Sequence, residues 1–315
     1  MKPLIIITGP TAAGKTELSV RLAQAVGGEI ISADSMQVYR HMDIGSAKIT
    51  EEEKRGIPHY LIDVLEPVEE FNVTIFQKMA KEAVDTIYSH GKIPIVAGGT
   101  GFYIQALLYD IDFTKTGADT SIREELEALG NEKGEAYLHE LLREIDPDSA
   151  AEIHENNRKR VIRAIEYFKQ TGEQISVHNK RERMKTSPYD FLYYTVNMER
   201  EILYQRIDRR VDAMLEKGLV NEVERLKDMG CTRDLVSMQG LGYKEILDYL
   251  SGTYTLEEAV TILKRDTRHF AKRQITWFKR EKDVRNLYLP DYNYNLDEVL
   301  NRMIQDTNEM IGLEN

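Results

Sequence analysis

The sequence predicts an α/β fold, a parallel sheet flanked by helices, interrupted by an inserted, mostly α-helical domain. Three observations predict it. Short apolar runs alternate with helically spaced segments over residues 1–110. Strand signals vanish beyond residue 113, where charged helical segments take over. An apolar, aromatic run then returns at Phe191–Asn197. Taken in order, Leu4–Thr8 is an apolar run closed by Gly9, the pattern of a buried strand. Glu17–Val26 places Leu18, Leu22 and Ala25 at helical spacing. Glu29–Ser32 and His59–Val64 read as the next strands, Thr74–Ser89 as a long helix, and Ile93–Ala97 as a fourth strand ending in Gly98-Gly99. Such alternation implies right-handed βαβ units. Ser121–Leu129, Ala136–Glu144 and Arg158–Lys169 read as helices of the insertion. After the returning strand, Glu201–Lys217, Glu222–Lys227 and Leu256–Arg280 are helical, and Arg285–Leu289 is a last strand before Pro290. The expected boundaries are 1–112 with 191–315 for the core and 113–190 for the insertion, with hinges near 113–118 and 186–190.

Composition narrows the class. The chain has 315 residues, 42% hydrophobic and 30% charged, enough to bury a core and stay soluble. No apolar run approaches the ~20 residues that span a bilayer, and no signal peptide opens the chain. The expected location is the cytoplasm. A single cysteine, Cys231, excludes a disulfide framework and a cysteine-cluster zinc site. The seven histidines are scattered and none stands at metal-ligand spacing. The net charge of −11 argues against a protein that coats nucleic acid indiscriminately. It does not exclude a local basic face. Residues 264–285 hold nine Lys/Arg against three acids. A basic channel wall and a solvated helix face are both consistent with that excess.

The residues Gly9-Pro10-Thr11-Ala12-Ala13-Gly14-Lys15-Thr16 fit the pattern G-x-x-x-x-G-K-[ST]. They follow a strand and open a helix, as a phosphate loop (P-loop) requires, so the core is expected to resemble a P-loop NTPase. Backbone amides can turn inward around phosphate oxygens, and the helix N-terminus adds a positive dipole end. Lys15 supplies a point charge, and the Thr16 hydroxyl can ligate Mg²⁺. By its form the loop is a nucleotide-binding, ATP-binding motif. A motor or switch NTPase also needs an acid after a second apolar strand. The strand Ile93–Ala97 leads instead to Gly98-Gly99-Thr100. Asp34, just beyond the strand Glu29–Ser32, occupies the other promising position. In open α/β sheets ligands bind outside the carboxyl ends of strands. Asp34 is therefore either a general base, or an acceptor that orients a nucleophile, or simply a helix N-cap. The pattern points toward group transfer.

Further motifs carry a specific resemblance. Asp-Ser-Met-Gln-Val-Tyr at 34–39, Asp-Ile-Gly-Ser-Ala-Lys at 43–48 and Gly-Gly-Thr-Gly-Phe-Tyr at 98–103 follow the phosphate loop. Gly-Leu-Gly-Tyr-Lys-Glu at 240–245 and Lys-Arg-Gln-Ile-Thr-Trp-Phe at 272–278 complete the series. Together they resemble the tRNA dimethylallyltransferase (tRNA isopentenyltransferase) family, from about residue 4 to about residue 280. The phosphate loop alone is generic; the later motifs in this order are specific. The resemblance implies transfer of a dimethylallyl group from dimethylallyl diphosphate to N6 of an adenosine. That adenosine lies 3′-adjacent to the anticodon, position 37, in tRNAs reading codons that begin with U. Diphosphate leaves and Mg²⁺ assists. The family uses the loop, Gly9 to Thr16, for an isoprenoid diphosphate rather than for ATP hydrolysis.

Matched residue by residue, the family's catalytic positions fall on Lys15, Thr16, Asp34 and Arg210. Arg206 and Arg209 lie close enough to compete for the last role. Thr100 matches a residue near the target nucleotide, and would also N-cap the following helix. The tRNA contacts map onto Asp34, Ser35, Met36 and Gln37, onto Arg123, onto Lys159, Arg160, Val161, Ile162 and Arg163, and onto Gln239, Gly240, Gly242, Tyr243 and Lys244. Lys180–Lys185 forms another basic strip, readable as a linker. An unpaired loop base must be splayed out, with phosphates held by Lys/Arg and bases stacked on flat side chains. The inserted domain is thus expected to grip the anticodon stem-loop of tRNA, with one chain acting as a monomer. Arg273, Gln274 and Trp277 either line the same channel or pack their helix on the core. Ala13 stands where family members often have Ser, and the zinc finger of eukaryotic relatives is not found, so the chain looks like the bacterial form.

Three other readings share some of these features. An adenylate isopentenyltransferase acting on AMP, ADP or ATP would need the loop and Asp34 but no basic strips. A P-loop small-molecule kinase would need a lid arginine. A binding module without chemistry would have no use for intact Lys15, Thr16 and Asp34.

Overall fold

A computed structural model describes residues 2–113 and 121–312. They fall into two compact units, Met1–Leu108 with Tyr189–Asn315, and Tyr109–Pro188. The expected hinge at 113–118 lies almost entirely outside the described residues.

The first unit is built on a parallel sheet. Its strands are β1 (Lys2–Thr8), β2 (Gly28–Ala33), β3 (His59–Tyr60), β4 (Ile93–Gly98), β5 (Tyr189–Asn197) and β6 (Val284–Tyr288). Their spatial order is β3-β2-β4-β1-β5-β6. β1 is central, and Leu4, Ile5, Ile6 and Ile7 are each at most 1% exposed because helices cover both faces. The helices are α1 (Lys15–Val26), α2 (Glu51–Lys54), α3 (Val73–Ser89), α4 (Gly101–Leu108), α10 (Arg200–Glu216), α11 (Leu219–Asp228), α12 (Tyr243–Leu250), α13 (Leu256–Phe278) and α14 (Leu296–Ile311). Between them in the chain, α5 (Ser121–Lys133), α6 (Glu135–Ile145), α7 (Pro147–Glu152), α8 (Arg158–Thr171) and α9 (Ile175–Glu182) form the second unit.

Strand order positions the site. β4 lies between β2 and β1, with Ala33 paired to Gly98 and Ile7 to Ala97. The loops after β2, β4 and β1 therefore emerge side by side at one edge. They carry Asp34, Gly99-Thr100 and the phosphate loop.

Two expectations are corrected. The strand expected over His59–Val64 pairs with β2 only at His59 and Tyr60. Leu61 and Asp63 take left-handed φ values of 62° and 55°, which no strand tolerates. In that bend Asp63 accepts a hydrogen bond from Lys48 at 2.5 Å. The sequence reading also omitted α2, α7, α9, α12 and α14. The last is amphipathic, capped by the Asn295 side chain on Asp297, with Val299 and Met303 buried in the main core.

The second unit has its own core of Leu126, Leu138, Leu142, Val161, Ile162 and Ile165. Buried Asp146 binds it together. Its carboxylate accepts from the Ser149 amide and hydroxyl and from the Ser176 amide, joining α7 to α9.

Candidate active site

The loop Gly9–Gly14 connects the end of β1 to α1. It takes left-handed φ at Ala12 (65°) and Gly14 (92°), so that successive amides turn to one side. Ala13 is buried in the loop. Gly9 is fixed by crowding, since a Cβ there would sit 2.3 Å from the Val196 carbonyl oxygen. The Lys15 ammonium donates to the Gly9 and Pro10 carbonyls at 3.0 and 2.8 Å. Burial, and next the Arg210 cation, pull its pKa down to about 8, against the opposing pull of Asp34. Thr16 is exposed in the first turn of α1.

Asp34 follows β2. Its Oδ1 accepts from the amides of Met36 (2.8 Å) and Gln37 (3.3 Å), a side-chain-to-backbone turn that aims the carboxylate. Its second oxygen takes no hydrogen bond from a described residue. The cap-like geometry and a chemical role are thus compatible. Ser35 continues this turn. Gln37 reaches back to the Ser46 and Ala47 carbonyls.

Arg210, on α10, donates to the Thr11 hydroxyl at 3.4 Å. Of the three neighbouring arginines it is the one placed against the loop. Desolvation lowers its pKa, while Asp34 and Glu53 oppose that shift. Lys15, Asp34 and Arg210 therefore share one electrostatic neighbourhood beside the loop. Sequence positions 15, 34 and 210 converge because β1 and β2 end at the same edge and α10 packs along α13.

The Gly-Gly-Thr-Gly turn after β4 is shaped by α13. A Cβ on Gly99 would lie 2.1 Å from Gln274 Nε2, and one on Gly101 would lie 2.2 Å from the Trp277 ring. The Thr100 amide donates to Ala33, and its carbonyl accepts from Tyr103 and Ile104 at the start of α4. The expected capping position is therefore real for the backbone.

The segment 239–244 meets the Asp34 turn, for a Cβ on Gly240 would lie 2.6 Å from the Met36 sulfur. Gly242, with φ 94°, opens α12. Gln239 donates to the Arg233 carbonyl, and Lys244 pairs with Glu245 at 3.3 Å. The expected contact at Tyr243 needs correction. Its ring is fully buried, and its hydroxyl donates to Glu222 (2.9 Å) and accepts from the Ser46 amide (3.1 Å). Burial and the Glu222 carboxylate hold that phenol well above its ordinary pKa. It cannot stack on a base; it anchors the 43–48 loop.

Glu222 was missed. It is 1% exposed, and its two oxygens accept from the amides of Asp43, Ile44 and Gly45 as well as from Tyr243. A sequence signal existed. Glu222 sits on the apolar stripe Leu219, Val223 and Leu226, where a carboxylate is costly unless it is bonded.

In the second unit, Lys159 and Arg160 are exposed. Val161 and Ile162 are 0% and 2% exposed in its core, so their side chains are not available to a ligand. Arg123 and Arg163 both bind the Glu166 carboxylate, at 2.8 and 3.1 Å. The Lys180–Lys185 strip is the end of α9 and the turn after it, with Lys180 paired to Asp148 and Lys185 to Glu182. Residues 264–285 divide likewise. Lys264 and Arg268 are spent on Asp212 and Asp208 of α10. His269, Lys272, Arg273, Thr276, Trp277 and Arg280 line an open cleft of about 400 Å³.

A family model described as IPP transferase matches residues 37–281. A curated relative from Lachnoclostridium phytofermentans, named tRNA dimethylallyltransferase, is 61% identical over 97% of each chain. Another of that name, from Acetivibrio thermocellus, is 55% identical over 90% of this chain and 91% of its own. The full-length tRNA isopentenylpyrophosphate transferase from Bacillus halodurans superposes with a TM-score of 0.74 at 45% identity, covering 99% of both chains. A eukaryotic dimethylallyltransferase, solved acting on tRNA, gives a TM-score of 0.85 at 31% identity, covering 100% of this chain and 81% of its own.

Proposed function

The chain belongs to the IPP transferase family, and from that premise we propose that it moves a dimethylallyl group from dimethylallyl diphosphate to tRNA. It is a prenyltransferase that modifies tRNA. The acceptor we propose is N6 of the adenosine 3′-adjacent to the anticodon, with diphosphate released. The enzyme would act as a cytoplasmic monomer. Among the described residues no helix is long and apolar enough to cross a membrane.

One observation carries the chemistry. A phosphate loop with Lys15 and Arg210 beside it faces an aspartate whose second oxygen is unengaged. Breaking the allylic C–O bond moves its electron pair onto the diphosphate. Loop amides, Lys15 and Arg210 would stabilise that charge. An adenine amine is a poor nucleophile because its lone pair is delocalised. Asp34 would accept its proton as the new C–N bond forms, which matches a general base poised beside the donor. The exposed Thr16 hydroxyl is a hard oxygen donor that fits Mg²⁺, which leaves the Asp34 oxygen free for the proton. When bound, the ion would neutralise charge on the leaving diphosphate. The cations on α13 and the exposed Lys159 and Arg160 would hold RNA phosphates.

The test is transfer of radiolabelled dimethylallyl from its diphosphate, with Mg²⁺, to three acceptors. These are an unmodified tRNA, the same tRNA with the target adenosine changed to guanosine, and free AMP. Label should enter the first alone. In Asp34→Ala it should fall by roughly 10²–10⁴-fold, the usual worth of a general base, while diphosphate binding persists. Label in AMP would move the protein to the free-nucleotide branch.

A further inference from the structure

Gln274 sits near the C-terminal end of α13, 6% exposed, between two loops that the reaction needs. Its Oε1 accepts from the Thr11 amide of the phosphate loop at 2.9 Å. Its Nε2 donates to the Gly99 carbonyl at 3.0 Å. A carboxamide is the side chain that can accept on one side and donate on the other. The orientation is dictated, since a flipped amide would set donor against donor at Thr11 and acceptor against acceptor at Gly99. The fit is also tight on the Gly99 side, where any Cβ would overlap Nε2. Thr11 is gripped a second time, at its hydroxyl, by Arg210. The phosphate loop and the turn that carries Thr100 are thus joined by one nearly buried side chain hydrogen-bonded to both.

We propose that Gln274 is a positioning residue that couples the diphosphate loop to the Gly99–Thr100 turn, so that filling the donor site alters the acceptor site. Coupling of this kind is a free energy shared by two sites, and it acts in both directions. Gln274 takes no part in the chemistry, because both polar ends of its side chain are spent on backbone. The proposal rests on the reading of the Gly99–Thr100 turn as the acceptor side.

Two variants separate coupling from packing. Gln274→Met keeps the length and removes both hydrogen bonds. Gln274→Glu keeps the acceptor for Thr11 but sets a carboxylate against the Gly99 carbonyl. Inorganic diphosphate with Mg²⁺, and an unmodified anticodon stem-loop RNA, would be titrated separately and then each in the presence of the other. This pair cannot react, so binding is read at equilibrium. In the unaltered protein, diphosphate should change RNA affinity by about 5-fold or more, and RNA should change diphosphate affinity by the same factor. In both variants that factor should collapse to one. Each ligand alone should lose no more than about tenfold, the scale of one neutral hydrogen bond.

A second readout needs only diphosphate. Its addition should shift the Gly99 and Thr100 amide resonances in the unaltered protein and leave them still in Gln274→Met. Two results would overturn the inference. One is a coupling factor of one in the unaltered protein; the other is an undiminished factor in the variants. Loss of melting temperature and of both affinities with the factor intact would mark Gln274 as packing alone. Failure of the proposed activity looks different, because the stem-loop would then not bind the unaltered protein, while the resonance shifts would still report the link between the two loops.

Discussion

Burial of Lys15 ties its protonation to the stability of the fold. Its pKa in the folded protein is about 8, below the ordinary 10.5, so the unfolded chain holds that proton more tightly. The charge opposes folding in full below about pH 8, and the penalty is relieved as pH rises from there toward 10.5. Ligand-free Lys15→Met should therefore melt above the unaltered protein at pH 7, and the difference should shrink by pH 10. The same substitution should abolish transfer. Calorimetric melts at the two pH values check the sign. Diphosphate binding should follow the ammonium, weakening as pH passes 8 in the unaltered protein relative to Lys15→Met. At Tyr243 the side chain works through hydrogen bonds that anchor a loop. Tyr243→Phe leaves the Ser46 amide without its acceptor and takes one donor from Glu222. An unsatisfied buried group costs about 1–3 kcal/mol, so the urea midpoint should fall accordingly. Unchanged stability would show that the 43–48 loop does not depend on this anchor.

At the scale of elements, the Gly-Gly-Thr-Gly turn and α13 are two halves of one fit. Gly99→Ala places a methyl on Gln274, and Gly101→Ala places one on Trp277. Overpacking costs roughly 1–3 kcal/mol, and activity should fall with it. Combining Gly99→Ala with Gln274→Ala should cost less than the sum of the two single variants, since the shorter side chain vacates the clash while its two hydrogen bonds are lost. Melts of the two single variants and the double variant measure that coupling. Strictly additive losses would place the strain elsewhere. The element signals were uneven. β1, β4 and α3 were legible because apolar period and turn residues agreed. β3 was overextended because the apolar residues after Tyr60 are buried in a bend rather than a strand. α12 and α14 were not read, although both alternate apolar and polar residues with helical spacing.

For the whole molecule, charge is the useful description. A chain of net −11 must bring RNA to local cations. Log affinity for the stem-loop should fall linearly with log salt. Lys272→Ala or Lys159→Ala should each reduce the slope by about one if that lysine holds a phosphate. Filter binding across salt concentrations reads this directly. Arg158→Ala should act otherwise, lowering stability, because its guanidinium bonds the Glu127 carbonyl and Asn131 within the second unit. An unchanged slope in Lys272→Ala would take the α13 cleft out of the RNA path.

The strand–loop–helix at the N-terminus, the parallel α/β class and the family were all legible in the chain alone, because each rests on local pattern: residue spacing, apolar period and motifs in order. The convergence of Asp34, Lys15 and Arg210 was only partly so, since motif matching could name the positions but not say which arginine approaches the loop. Tertiary structure decided what each side chain is spent on. Tyr243, Val161 and Ile162 lie within motifs or basic strips, yet burial assigns them to packing. Lys264 and Arg268 look like open cations until α10 supplies their acids. Gln274 and Glu222 look ordinary in one dimension and hold loops from more than 170 positions away. The physical reason is common to all of them. A side chain's partners, and the water it keeps or loses, are set by contacts remote in sequence, and no local pattern encodes those.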